Sequence, residues 1–80
     1  MNSGPVYTER VDRAIARLYG ERLARTNPAE VLGAALCVAS HFAPYEERRN
    51  PYLPAEPFFI DFKQGWTAAA SNRVALERAA

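Results

Sequence analysis

Apolar residues recur at helical spacing in three stretches of the chain, separated by a polar break and by a proline-rich one. In the first stretch Val11, Ala14, Ile15, Leu18 and Leu23 fall on one face, which predicts a helix over about residues 8–25. Thr8 stands where an N-cap belongs, and Glu9 favours the positive end of the helix dipole. Arg10, Arg13 and Arg17 recur every three or four residues and so share a second face. Glu9 with Arg13 and Glu21 with Arg25 are i,i+4 pairs in the favourable order. Gly20 costs a helix about 1 kcal/mol relative to Ala. It marks a close helix approach or is simply tolerated.

The clearest boundary follows. Asn27 can cap, Pro28 suits a first helical position, and Glu30 completes a capping-box spacing. The predicted helix runs over about 28–42. Val31, Leu32, Leu36, Val38 and Phe42 are apolar, while Gly33, Ala34, Ala35, Ala39 and Ser40 are small. A helix apolar nearly all round is a buried one, so this is read as the central helix, its small residues letting neighbours pack closely.

Pro44, Pro51, Pro54 and Pro57 then mark an extended linker over 44–57 with restricted backbone. Tyr45 and Tyr52 are its expected anchors, and Glu46-Glu47-Arg48-Arg49 its solvated turn. A third helix is predicted over about 58–79. Phe58, Phe59, Phe62, Trp66, Ala69, Ala70 and Leu76 form its broad apolar face, with Asp61, Lys63, Gln64 and Ser71 opposite and Arg73 inside the apolar arc. The expected architecture is all-α, a single small three-helix domain over 1–80 with a proline-rich linker before the last helix. Residues 1–7 read as a short tail.

Composition narrows the function. Eighty residues allow one thin core, and Cys37 is the lone cysteine, so no disulfide can staple it. One cysteine and an opening without a basic or apolar leader give the expectation of a reducing cytoplasm. The apolar run 31–38 is far short of the roughly 20 residues that span a bilayer, so no membrane association is expected. Ten basic residues against nine acidic ones leave a formal charge of +1. That balance does not favour a nucleic-acid partner, which usually meets a clear basic excess.

Catalytic constellations are hard to assemble. With one His and one Cys, the single nucleophile–base pair would be Cys37 with His41, four apart on the central helix. No third group or oxyanion donor accompanies them, so Cys37 reads as a core residue and His41 as the polar end of its helix. A zinc site wants four ligands, which this chain offers only by sharing across a dimer. The glycines are scattered, which excludes a phosphate loop. No enzyme activity, cofactor or metal is expected.

Two groups carry binding chemistry instead. The arginine face of Arg10, Arg13 and Arg17 can dock on phosphates or an acidic protein surface, or be a solvated face balanced by Glu9, Asp12 and Glu21. The aromatic residues of the last helix are mostly core. Tyr52, Phe62, Trp66 and Arg73 contain the residue types that dominate interface hot spots, and they are the expected partner-binding residues together with the arginine face.

Asn50-Pro51-Tyr52, then Phe62-Lys63-Gln64-Gly65-Trp66, then Ala69 or Ala70 and Arg73-Val74, resemble the C-terminal half of ribosome modulation factor. The resemblance spans about 50–74. It implies a helical fold for that half and, as in the family, binding to ribosomal RNA or the small subunit to dampen translation. Phe62 stands where the family has a Trp, an apolar helix precedes the Pro-Tyr pair, and the charge is nearly neutral where ribosome binders are basic. Members of this wider family are common in bacteriophages and plasmids. Two functions follow: a phage or mobile-element inhibitor docking on a host protein or ribonucleoprotein complex, with an anti-CRISPR-like profile by analogy of size and composition, and a ribosome-associated factor. A homodimer through the apolar middle helix is a further expectation.

Overall fold

In the computed structural model, which describes residues 8–79, the chain forms α1 Glu9–Tyr19, α2 Pro28–Ala39, α3 Pro57–Ser71 and α4 Arg73–Ala79. Short 3-10 segments occupy Gly20–Arg25 and Glu47–Arg49, and there is no strand among the described residues. The architecture is all-α, as the apolar spacing predicts. The tail expected over 1–7 lies outside the described residues.

The start of α1 follows from Thr8, whose side-chain oxygen accepts the Val11 N–H at 3.3 Å. Val11, Ala14, Ile15 and Tyr19 are its buried face. The helix ends earlier than expected, because Gly20 has φ 54 and ψ −130, a backbone shape that only glycine takes without strain. No neighbour lies within 4 Å of where a Cβ on Gly20 would stand. Its role is therefore conformational and not a close approach. The chain continues as a 3-10 segment and turns towards α2.

Asn27 opens α2 by accepting the Ala29 N–H at 2.8 Å, with Pro28 behind it as the first helical residue. The same side chain donates to Asp61 Oδ2 at 2.7 Å and so ties α2 to α3. The small residues have the effect foreseen for them. A Cβ on Gly33 would stand 2.0 Å from the Phe62 carbonyl oxygen, and one on Gly65 would stand 1.8 Å from that of Glu30. The two helices cross backbone against backbone, with Ala29, Ala34, Phe62 and Ala69 buried.

The expected end of α2 at Phe42 is corrected to Ala39. Ser40 N–H still reaches Leu36 O, but His41 N–H turns back to Val38 O and Phe42 N–H to Cys37 O at 2.8 Å. His41 and Phe42 both take left-handed backbone, at φ 58 and 61. The closure redirects the chain into the linker. The single last helix also divides. At Asn72 the side-chain amide donates to Ala68 O at 2.8 Å and competes with helix continuation. The break turns α4 onto α1, where Leu76 is buried in the common core.

The core is one cluster joining all four helices, with Trp66, Phe62, Leu76, Val11 and Val38 as its largest fully buried members. Burial of each large apolar side chain contributes about 1.5–3 kcal/mol. Among the described residues no helix is long and apolar enough to cross a membrane.

Candidate interaction surface

The linker is held to the helices by a chain of rings and amides. The Trp66 indole N–H donates to Ala43 O at 3.0 Å, which fixes where the linker leaves α2. Tyr45 meets the indole edge-on at 6.1 Å between centroids, and Lys63 lies 5.5 Å over the Tyr45 ring. Asn50 then closes a turn on Tyr52, accepting its N–H at 3.0 Å. The Asn50 amide also donates to Phe59 O at 3.0 Å and to the Tyr45 hydroxyl at 3.2 Å. Tyr52 packs against Phe58 at 5.6 Å and Phe62 at 6.2 Å. Both tyrosines anchor the linker, as the sequence predicts.

This arrangement corrects part of the expected binding set. Trp66 is 2 % exposed and Phe62 is fully buried, so neither presents a surface to a partner. The indole donor is already satisfied within the chain, and both rings lie in the core beneath the linker. Phe62 packs against Tyr52 and Trp66 against Tyr45, both of them half-buried, and neither core ring contacts the exterior itself. Asn50, Gly65 and Trp66 thus have packing roles here. Asn50 shapes the turn, Gly65 permits the helix crossing, and Trp66 holds the linker.

The arginines divide in another way. Arg10 donates to Val38 O at 2.7 Å, and Arg73 stacks 5.3 Å over the Phe42 ring while pairing with Glu77 at 3.1 Å. Two expected site residues from opposite ends of the chain therefore meet the same carboxyl end of α2, whose partial negative charge favours them. Arg13 pairs with Glu9 at 2.7 Å, and Arg17 is exposed. The face is not one continuous track of guanidinium groups.

Cys37 and His41 do not share a helical face, because α2 ends before His41, and Cys37 lies in the core as its sequence reading has it. Cys37 is buried and His41 is exposed beyond the end of α2. Burial pushes the Cys37 thiol up to about 11, against a smaller opposing effect of Arg73. The neutral thiol is a poor nucleophile. Burial, and then the Glu30 carboxylate, also raise the Tyr19 phenol above its ordinary range. Among the described residues no group of His, Cys, Asp or Glu side chains could hold a metal ion.

What the surface does present is apolar. Leu53 is 67 % exposed, Ile60 59 %, Phe58 46 % and Val74 63 %. The first three lie in the linker and the opening turn of α3, beside exposed Pro51, Pro54 and Pro57. Sequence periodicity placed Phe58 in the core and gave no weight to Leu53 or Ile60, because their exposure depends on how the linker folds back. No family model matches the chain, and neither a curated protein nor a solved structure matches it significantly.

Proposed function

We propose that the chain is a non-enzymatic binding protein that docks on a host macromolecular complex and modulates or inhibits it, as a phage- or plasmid-encoded regulator would. The supporting observation is the exposure of Leu53 and Phe58 beside Tyr52, where the ordered proline-rich linker meets the start of α3. Large apolar side chains gathered in one place mark protein-contact surfaces. A protein partner fits this surface better than nucleic acid does, since the net charge is +1 and Arg10, Arg13, Arg48 and Arg73 already have acceptors within the chain.

The test is affinity capture from nuclease-treated bacterial lysate with the wild-type protein and with Leu53→Lys/Phe58→Lys. A stoichiometric protein is expected with the wild type and lost with the double variant. Retention of nucleic acid alone from untreated lysate, or capture indifferent to the two substitutions, would defeat the reading.

A further inference from the structure

Where α2 and α3 begin side by side, the surface is notched. Asn27, Pro28 and Ala29 form one wall and Tyr52 and Phe58 the other, enclosing a mainly apolar space of about 220 Å³. The notch is open to solvent, since Pro28 and Phe58 are exposed and Tyr52 is half-buried. Its polar edge is the Asp61 carboxylate. Asn27, a wall residue, donates through Nδ2 to Asp61 Oδ2 at 2.7 Å and so holds the carboxylate beside the notch. The other oxygen, Oδ1, has no hydrogen-bond partner among the described residues and is not sealed from solvent. Among the described residues neither Asp61 nor Glu56, which precedes the Pro57-Phe58 start of α3, takes part in an ion pair. No residue lining the notch is a cation.

The charges decide what such a notch accepts. Two helix N-termini meet here, each worth about half a positive charge, and they oppose a cation. The full negative charges of Asp61 and Glu56 outweigh them. An acidic side chain would be repelled by Asp61. A purely aliphatic one would fill the notch but cover the carboxylate without pairing it, which costs free energy. A long basic side chain avoids both penalties, because its apolar stem can lie on the rings while its charged head stays at the polar edge. Arginine suits the site better than lysine, since its flat guanidinium also stacks on aromatic faces such as those of Tyr52 and Phe58.

We infer that the notch between Pro28 and Phe58 receives an arginine side chain of the partner protein, its stem on Tyr52 and Phe58 and its guanidinium on Asp61 Oδ1. This rests on the protein-docking reading above and specifies one chemical requirement of the partner.

The probe is N-acetyl-arginine amide, titrated against the full chain while the Asn27 side-chain amide and Tyr52 ring resonances are followed. N-acetyl-citrulline amide, which keeps the stem and shape but not the charge, is the comparison. Saturable shifts at both residues are expected, with Kd of about 5 mM, the scale of one small contact. The citrulline probe should bind about threefold to fivefold more weakly, the worth of one partly exposed ion pair. Asp61→Asn keeps an acceptor for Asn27 and should erase the difference between the probes. Phe58→Ala should weaken both, while Arg17→Gln changes neither. Equal response to the two probes on the wild type, or no saturable response up to about 50 mM, overturns the proposal. An equal response to guanidinium ion alone overturns the role of the apolar walls. The comparison of probes on the wild type decides the matter even where a variant folds poorly. Lysate capture separates the two readings. Undiminished capture by Asp61→Asn would overturn the arginine notch and leave docking standing, whereas a positive titration with failed capture would sink the docking reading and leave the notch.

Discussion

Gly33 and Gly65 face each other across the crossing of α2 and α3, each lying against a backbone carbonyl of the opposite helix. The obstructing atoms, Phe62 O and Glu30 O, belong to helical backbone and cannot swing aside. Gly33→Ala or Gly65→Ala is expected to destabilise at the upper end of about 1–3 kcal/mol, despite the better helix propensity of Ala. Gly20→Ala, which meets no neighbour, should cost only the strain of its positive φ, about 1–2 kcal/mol. Urea denaturation of the three variants gives the ranking, and a neutral Gly65→Ala would contradict the crossing.

Trp66→Phe removes the donor to Ala43 O while keeping most of the apolar ring. The orphaned carbonyl and smaller ring should cost about 2 kcal/mol. In the wild type this sole tryptophan is buried, so its emission should be blue-shifted and move to the red on unfolding. A native spectrum already resembling exposed indole would count against the packed linker.

Alkaline stability follows from Cys37 and Tyr19. The folded chain raises both acids above their ordinary values, Cys37 from 9.0 to about 11. Their neutral forms are favoured in the fold, so the contribution is complete below pH 9. It is lost as pH climbs from the unfolded value through the folded one. For Cys37 this amounts to about 3 kcal/mol at most. Thermal melts should show Tm falling between pH 9 and 11, less steeply for Cys37→Ala. A flat profile in that window would refute the assignment.

Ribosome association can be read directly. The expected outcome is absence from the ribosome pellet at both low and high salt. Binding through phosphates would appear at low salt and fall steeply as salt rises. Such a salt-dependent pellet would restore the function implied by the resemblance over residues 50–74.

Self-association has a narrower basis than the apolar pattern of α2 predicts. With α3 laid across it, only Val31, Leu32 and Leu36 remain half-buried among its large apolar residues. Light scattering is expected to give the monomer mass. A dimer dispersed by Leu36→Glu would show that α2 is the contact.

The helix starts were legible because their causes are local: Thr8 and Asn27 cap as their chemistry dictates, and Pro28 follows its cap. The ends were less so. Phe42 continues the apolar pattern of α2, yet the closing bonds of His41 and Phe42 end the helix before it. Asn72 gives a weak local signal whose effect depends on α4 finding α1. Trp66 and Tyr52 share the residue types of interface anchors, but their burial is decided by where the linker lies. Arg49 read as part of a solvated turn for the same reason, since nothing in its neighbours announces the indole beneath it.

The bonds that fasten the linker have a consequence for recognition. Ala43, Asn50 and Tyr52 are pinned before any partner arrives, and the prolines between them remove much of the remaining backbone freedom. A surface that is already in its bound shape loses little conformational entropy on association. Pre-organisation of this kind moves selectivity away from induced folding and towards shape, so that a partner is discriminated chiefly by how long it stays.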